Sequence, residues 1–134
     1  MNILVANDDG IQAKGIAKLT EALSLAGHDV YVIAPNGQRS AYSHAISINK
    51  DVLFSEVEDY PFAKEAYMVD GTPADCVKLG TLFLKKRGIR TEAVYTGINH
   101  GANLGTDTMY SGTVSSAAED TVPEYIVSVP KFAP

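Results

Sequence analysis

The hydrophobic positions of this chain follow two rhythms that take turns. Residues 2–6 form a short apolar run, after which Ile16, Leu19, Leu23 and Ala26 recur at helical spacing until Gly27 supplies a stop. A buried strand followed by an amphipathic helix is the prediction. Residues 30–34 read as a second buried strand, and Pro35 with Gly37 opens a polar loop to about residue 43. Between residues 45 and 54, Ile46 and Ile48, then Val52 and Phe54, alternate on either side of Asn49 and Lys50, which predicts extended chain. The stretch from there to about residue 66 reads as acidic and irregular. Residues 67–69 are a short strand, and Thr72-Pro73-Ala74-Asp75 has the form of a helix start. Thr72 is placed to cap it, Pro73 to occupy the first helical position, and Asp75 to meet the positive end of the helix dipole. That helix is predicted to run to about residue 86, followed by a strand over residues 93–96. A loop with Gly97, Gly101, Gly105 and Gly112 comes next, then helix-forming residues 114–119 and a last strand over 125–129.

This alternation of strand and helix predicts an α/β domain of three layers with a mostly parallel sheet. At 134 residues, 46% hydrophobic and 20% charged, the whole of 1–134 is expected to be one globular domain. The formal charge of −5 argues against a protein held mainly by the phosphates of a nucleic acid polymer, while a small anionic substrate fits if a cation neutralises it locally. Cys76 is the single cysteine, so no internal disulfide is expected and a reducing compartment follows. No segment is long and apolar enough to span a bilayer, and residues 1–7 lack the basic segment of a leader; the expected location is cytoplasmic.

Candidate chemistry gathers at strand ends. The first strand stops at Asn7-Asp8-Asp9-Gly10, the second leads into Gln38-Arg39-Ser40, and the strand at 93–96 leads into Gly97-Ile98-Asn99. In a parallel sheet these loops share one edge, where ligands of open α/β sheets bind. Two carboxylates, a hydroxyl and an amide carbonyl are hard oxygen donors of the kind magnesium and manganese take, with room left for water and phosphate. Such a set suits phosphate-ester hydrolysis. Singly, each residue also has an ordinary structural reading: two acids before a glycine make a turn or cap, Ser40 bonds its own backbone, Arg39 is a solvated charge, and Asn99 and Asn103 are turn residues. Cys76 reads as core and His28 as structural, while His44 and His100 lie in loops on the site side, where an imidazole can protonate a leaving group.

Taken in order, Asn7-Asp8-Asp9-Gly10, Ala34-Pro35 with Gln38-Arg39-Ser40, residues 70–76 (DGTPADC), residues 96–105 (TGINHGANLG) and residues 110–114 (YSGTV) resemble the survival protein E (SurE) family. The resemblance covers about residues 1–119, leaving 120–134 as an unassigned tail or joined fragment. It implies a Rossmann-like domain and a metal-dependent phosphatase acting on nucleoside 5′- and 3′-monophosphates, with some members also trimming polyphosphate. One divalent ion, magnesium or manganese, is implied, with Asp8, Asp9, Ser40 and Asn99 as its ligands. Asn103, Ser111 and Thr113 match the segment that lines the phosphate pocket and are expected to bind substrate. Hydrolysis by metal-activated water is the expected mechanism; Asp8 or Asp9 as a nucleophile stays open. A homodimer or homotetramer is implied. The chain departs from the family pattern at Thr96, where serine is usual, at Ala41, where glycine is common, and from Asp120 onward, where the family's C-terminal region is expected and apparently lacking. Two other readings therefore stand beside the nucleotidase: a non-catalytic metal- or nucleotide-binding module, and a self-associating fragment.

Overall fold

The computed structural model describes residues 1–37 and 52–98, together with the strand Ile126–Ser128. Its elements run β1 (Asn2–Ala6), α1 (Lys14–Leu25), β2 (Asp29–Pro35), β3 (Phe54–Glu56), β4 (Glu65–Val69), α2 (Pro73–Lys86), β5 (Ala93–Thr96) and β6 (Ile126–Ser128). They build one six-stranded sheet in the order β3-β4-β2-β1-β5-β6. All neighbours are parallel except the β3–β4 pair at one edge.

The apolar runs are continuous because the central strands are covered on both faces. Ile3 and Val5 of β1, with Val30 and Val32 of β2, pack against Ile16 and Leu19 of α1. Their neighbours Leu4, Ala6, Tyr31 and Ile33 face the other way, onto Cys76, Val77 and Leu84 of α2. One helix on each side makes the three layers. Each such aliphatic side chain taken fully out of water contributes about 1.5–3 kcal/mol, so the two half-cores anchor the sheet. Cys76 is fully buried, as a core residue should be.

The helix ends follow the local chemistry. Thr72 caps α2 by accepting from the Asp75 N–H at 3.1 Å, while the Asp75 carboxylate accepts from the Thr72 N–H at 2.9 Å, a reciprocal capping box. Both helices end in the Schellman arrangement, His28 N–H donating to Leu23 O in α1 and Ile89 N–H to Leu84 O in α2. Gly80 lets α2 lie close on the sheet: a Cβ there would come within 2.9 Å of the Ile33 side chain.

Two expectations need correction. The stretch up to residue 66 is not irregular throughout, since Phe54–Glu56 form β3 and β4 begins at Glu65. β3 is an edge strand with Ser55 and Glu56 exposed, so the apolar alternation that reaches Phe54 stops there. Glu65 opens β4 at the rim, where its carboxylate takes two bonds from Arg87 at 2.5 and 2.6 Å in place of a buried partner. That Arg87 pairing holds the Glu65 carboxyl below the usual range. The Arg87 guanidinium also lies 5.7 Å from the centre of the Phe83 ring, within a cluster in which the Phe83 ring is tilted 37° to Phe54 at 4.9 Å and meets Tyr67 edge-on at 4.8 Å. The Nδ1 of His28 lies 3.3 Å from the amino group of Met1.

Candidate active site at the carboxyl edge of the sheet

The strand order reverses beside β1. From β1 the chain moves outward to β2 and then β4, after which α2 returns it across the sheet to β5 on the other flank of β1. β1 and β5 are therefore the neighbours at the switch point, outside whose carboxyl ends the ligands of open α/β sheets bind. The two strands end flush: Ala6 is paired with Thr96, and the Gly97 N–H adds a further bond to Ala6 O at 3.0 Å. Asn7-Asp8-Asp9-Gly10 leaves from one strand end and Gly97-Ile98 from the other.

The doublet is held by its neighbours. The buried Asn7 side chain spans the turn, its Nδ2 donating to Gly10 O at 2.9 Å and its Oδ1 accepting from Gly10 N–H at 3.2 Å. Gly10 has φ +106°, a conformation that strains any side chain, and a Cβ there would lie 3.1 Å from Gly37 Cα. Next, the Ile11 N–H donates to Pro35 O at 2.9 Å, tying the turn to the end of β2, and the Ile11 side chain is buried. Asp8 is 2% exposed and Asp9 partly exposed, so one carboxylate sits within the edge and the other at its surface.

The same region lies against Gly37 and Ile98. Gly37, against which Gly10 packs, stands three residues before Ser40 in the sequence. Gly15, in the first turn of α1, lies so close to the Ile98 carbonyl oxygen that a Cβ would collide with it, and Ile98 immediately precedes Asn99. α1 begins without a side-chain cap, and its positive end at this edge favours negative charge. The Thr96 hydroxyl, at the end of β5, is buried without a hydrogen-bond partner among the described residues.

Asp8 and Asp9 are the predicted site residues that fall within the described chain. Ser40, Asn99, Asn103, Ser111 and Thr113 lie outside the described residues, as do Arg39, His44 and His100. Among the described residues no three or more His, Cys, Asp or Glu come together as a metal cluster. The donor chemistry of the edge fits a hard divalent ion: adjacent carboxylates at a strand end, with an unpartnered buried hydroxyl at the neighbouring strand end. Sequence reading missed Tyr60. Its hydroxyl donates to Ile11 O at 2.9 Å across 49 residues, and nothing in the local pattern around Glu58-Asp59-Tyr60-Pro61 signals that reach.

A doubly wound α/β protein with an acidic doublet at its switch point is the class that fold and site together define. The family model described as "Survival protein SurE" matches residues 3–129. The chain belongs to the SurE family. It is similar to the 5′-nucleotidase SurE of Synechococcus sp. (strain JA-3-3Ab), 45% identical over 137 residues that cover 98% of this chain and 52% of that protein. The 5′-nucleotidase SurE of Clostridium beijerinckii is 48% identical over 122 residues, 91% of this chain and 47% of its own length. The crystal structure of a SurE protein from Aquifex aeolicus superposes with a TM-score of 0.77 at 39% identity, covering 89% of this chain and 46% of that one. The chain thus spans about half the length of the relatives it matches. Among the described residues no helix is long and apolar enough to cross a membrane.

Proposed function

We propose that this chain carries the metal-binding half of a phosphoric monoester hydrolase that releases phosphate from nucleoside 5′- and 3′-monophosphates. The observation that carries the reading is the Asp8-Asp9 doublet at the β1–β5 switch point, in a family whose relatives at 45–48% identity are named 5′-nucleotidases. Asp8, Asp9, Ser40 and Asn99 hold one magnesium or manganese ion in this reading, and Asn103, Ser111 and Thr113 bind the substrate phosphate. When bound, the ion supplies a nucleophilic water and neutralises charge developing on the phosphoryl oxygens. Asp8 and Asp9 bind and orient at fixed positions, because Asn7, Gly10 and the Ile11–Pro35 bond fix the turn that bears them. Buried Asp8 works at low local dielectric, which strengthens its hold on a cation. The protein acts as a cytoplasmic homodimer or homotetramer, and short polyphosphate shares the terminal phosphoryl chemistry.

Phosphate release from adenosine and guanosine monophosphates, with and without magnesium or manganese, is the test. Asp8→Asn and Asp9→Asn are expected to lower the metal-dependent rate by about 100-fold or more, since loss of a ligand exceeds the effect of losing a group that merely supports one. Turnover that survives both substitutions, or full chelation, overturns the proposal. One observation favours a second reading, a metal- or nucleotide-binding module without turnover: the chain spans only 52% of the first relative. Saturable nucleotide binding with no phosphate release identifies that case, and concentration-dependent light scattering without nucleotide binding identifies a self-associating fragment.

A further inference from the structure

The segment between β3 and β4 does more than turn the chain. Val57 N–H bonds Ala66 O at 2.8 Å and Lys64 N–H bonds Val30 O at 2.8 Å, so both ends of the segment are tied to the sheet. Between them Asp59 and Phe62 take φ of +57° and +67°, unusual for residues with side chains. The Tyr60 ring packs against the α1-side core, and its hydroxyl reaches the Ile11 carbonyl at 2.9 Å. Ile11 is then held from both sides, its N–H by Pro35 and its carbonyl by Tyr60. It lies two residues beyond Asp9.

We propose that Tyr60 is a positioning residue for the Asp8-Asp9 loop: through the Ile11 carbonyl it fixes where the doublet meets a divalent cation. The inference rests on the metal-site reading above. Burial raises the Tyr60 hydroxyl above its ordinary pKa, so it remains a donor throughout the neutral range. The side chain touches neither carboxylate, and its effect is on the backbone that carries them.

Manganese titration of the 134-residue chain, followed by the loss of the free-ion electron paramagnetic resonance signal, tests this without any need for turnover. Four proteins are compared: the unsubstituted chain, Tyr60→Phe, Asp8→Asn, and Thr81→Val. The last removes a buried hydroxyl that bonds Val77 O at 2.6 Å in α2, on the other face of the sheet. Tyr60→Phe is expected to weaken manganese binding about three- to tenfold, the usual consequence of losing one hydrogen bond, with Thr81→Val unchanged. Equal affinity in Tyr60→Phe and the unsubstituted chain overturns the positioning role while leaving the metal site intact. Equal weakening in Tyr60→Phe and Thr81→Val also overturns it, since the effect is then general destabilisation. No binding by the unsubstituted chain, or undiminished binding by Asp8→Asn, overturns the metal reading and this inference with it.

Discussion

Thr96 and Asp8 show how differently two polar groups can be treated at one edge. Asp8 ends a strand in a turn braced by the Asn7 side chain, whereas the Thr96 hydroxyl is buried with no partner among the described residues. An unmatched buried hydroxyl gives up its hydration for no return. Thr96→Val keeps the shape and removes that cost, so it is expected to leave stability unchanged or raise it by up to about 1 kcal/mol in urea unfolding. A loss above about 1 kcal/mol would show that the hydroxyl has a partner in solution. The residues legible in sequence at this scale were those whose type and position spoke together: two acids and a glycine after an apolar run. Tyr60 was illegible because its meaning lies in a bond to a residue 49 positions away.

At the scale of elements, β1, α1, β2, α2 and β5 were all legible, each for a physical reason. Two-sided burial writes a strand as an unbroken apolar run, one-sided burial writes α1 at helical spacing, and the Thr72–Asp75 box writes the start of α2. Ser55 and Glu56 of β3 and the first two residues of β4 were not, because an edge strand with polar side chains lacks either signature. Gly15 separates element propensity from element packing. An alanine in a helix ordinarily gains about 0.5–1 kcal/mol over glycine, yet here the added Cβ would strike the Ile98 carbonyl. Gly15→Ala is therefore expected to destabilise by about 1–3 kcal/mol in chemical unfolding. A stabilised variant would mean that α1 and the β5 exit do not touch. The Glu65–Arg87 pair joins β4 to the end of α2 and gives a pH signature. Since Glu65 has a lowered pKa in the folded state, its contribution is present above the unfolded carboxyl value and is lost as pH falls through the folded one. Unfolding measured from pH 7 down to about 3 should show a smaller loss of stability in Glu65→Gln than in the unsubstituted chain.

For the whole molecule, binding and stability are one equilibrium. A ligand that binds only the folded chain stabilises it by about 2.7 kcal/mol at a free concentration 100 times its dissociation constant. Manganese is expected to raise the melting temperature of the unsubstituted chain in this way, and to leave Asp8→Asn unmoved; equal shifts would place the ion elsewhere. The three-layer α/β architecture with its mostly parallel sheet was readable from the alternation of periods alone. Strand order was not, since no local pattern records that α2 carries the chain back over β2 and β1.

That return crossing has a consequence in time. β1 with α1, β2 and β4 can be built from pairings close in sequence, but β5 must find β1 across the interval from Asn2 to Glu92, 90 residues apart. Contacts this distant form late, because closing the loop must precede any reward for it. Until then Asp8 and Asp9 stand at a strand end without its neighbour. The edge that carries the doublet is therefore completed late, and affinity for a divalent ion is expected to appear in refolding with the pairing of β5 to β1 rather than before it.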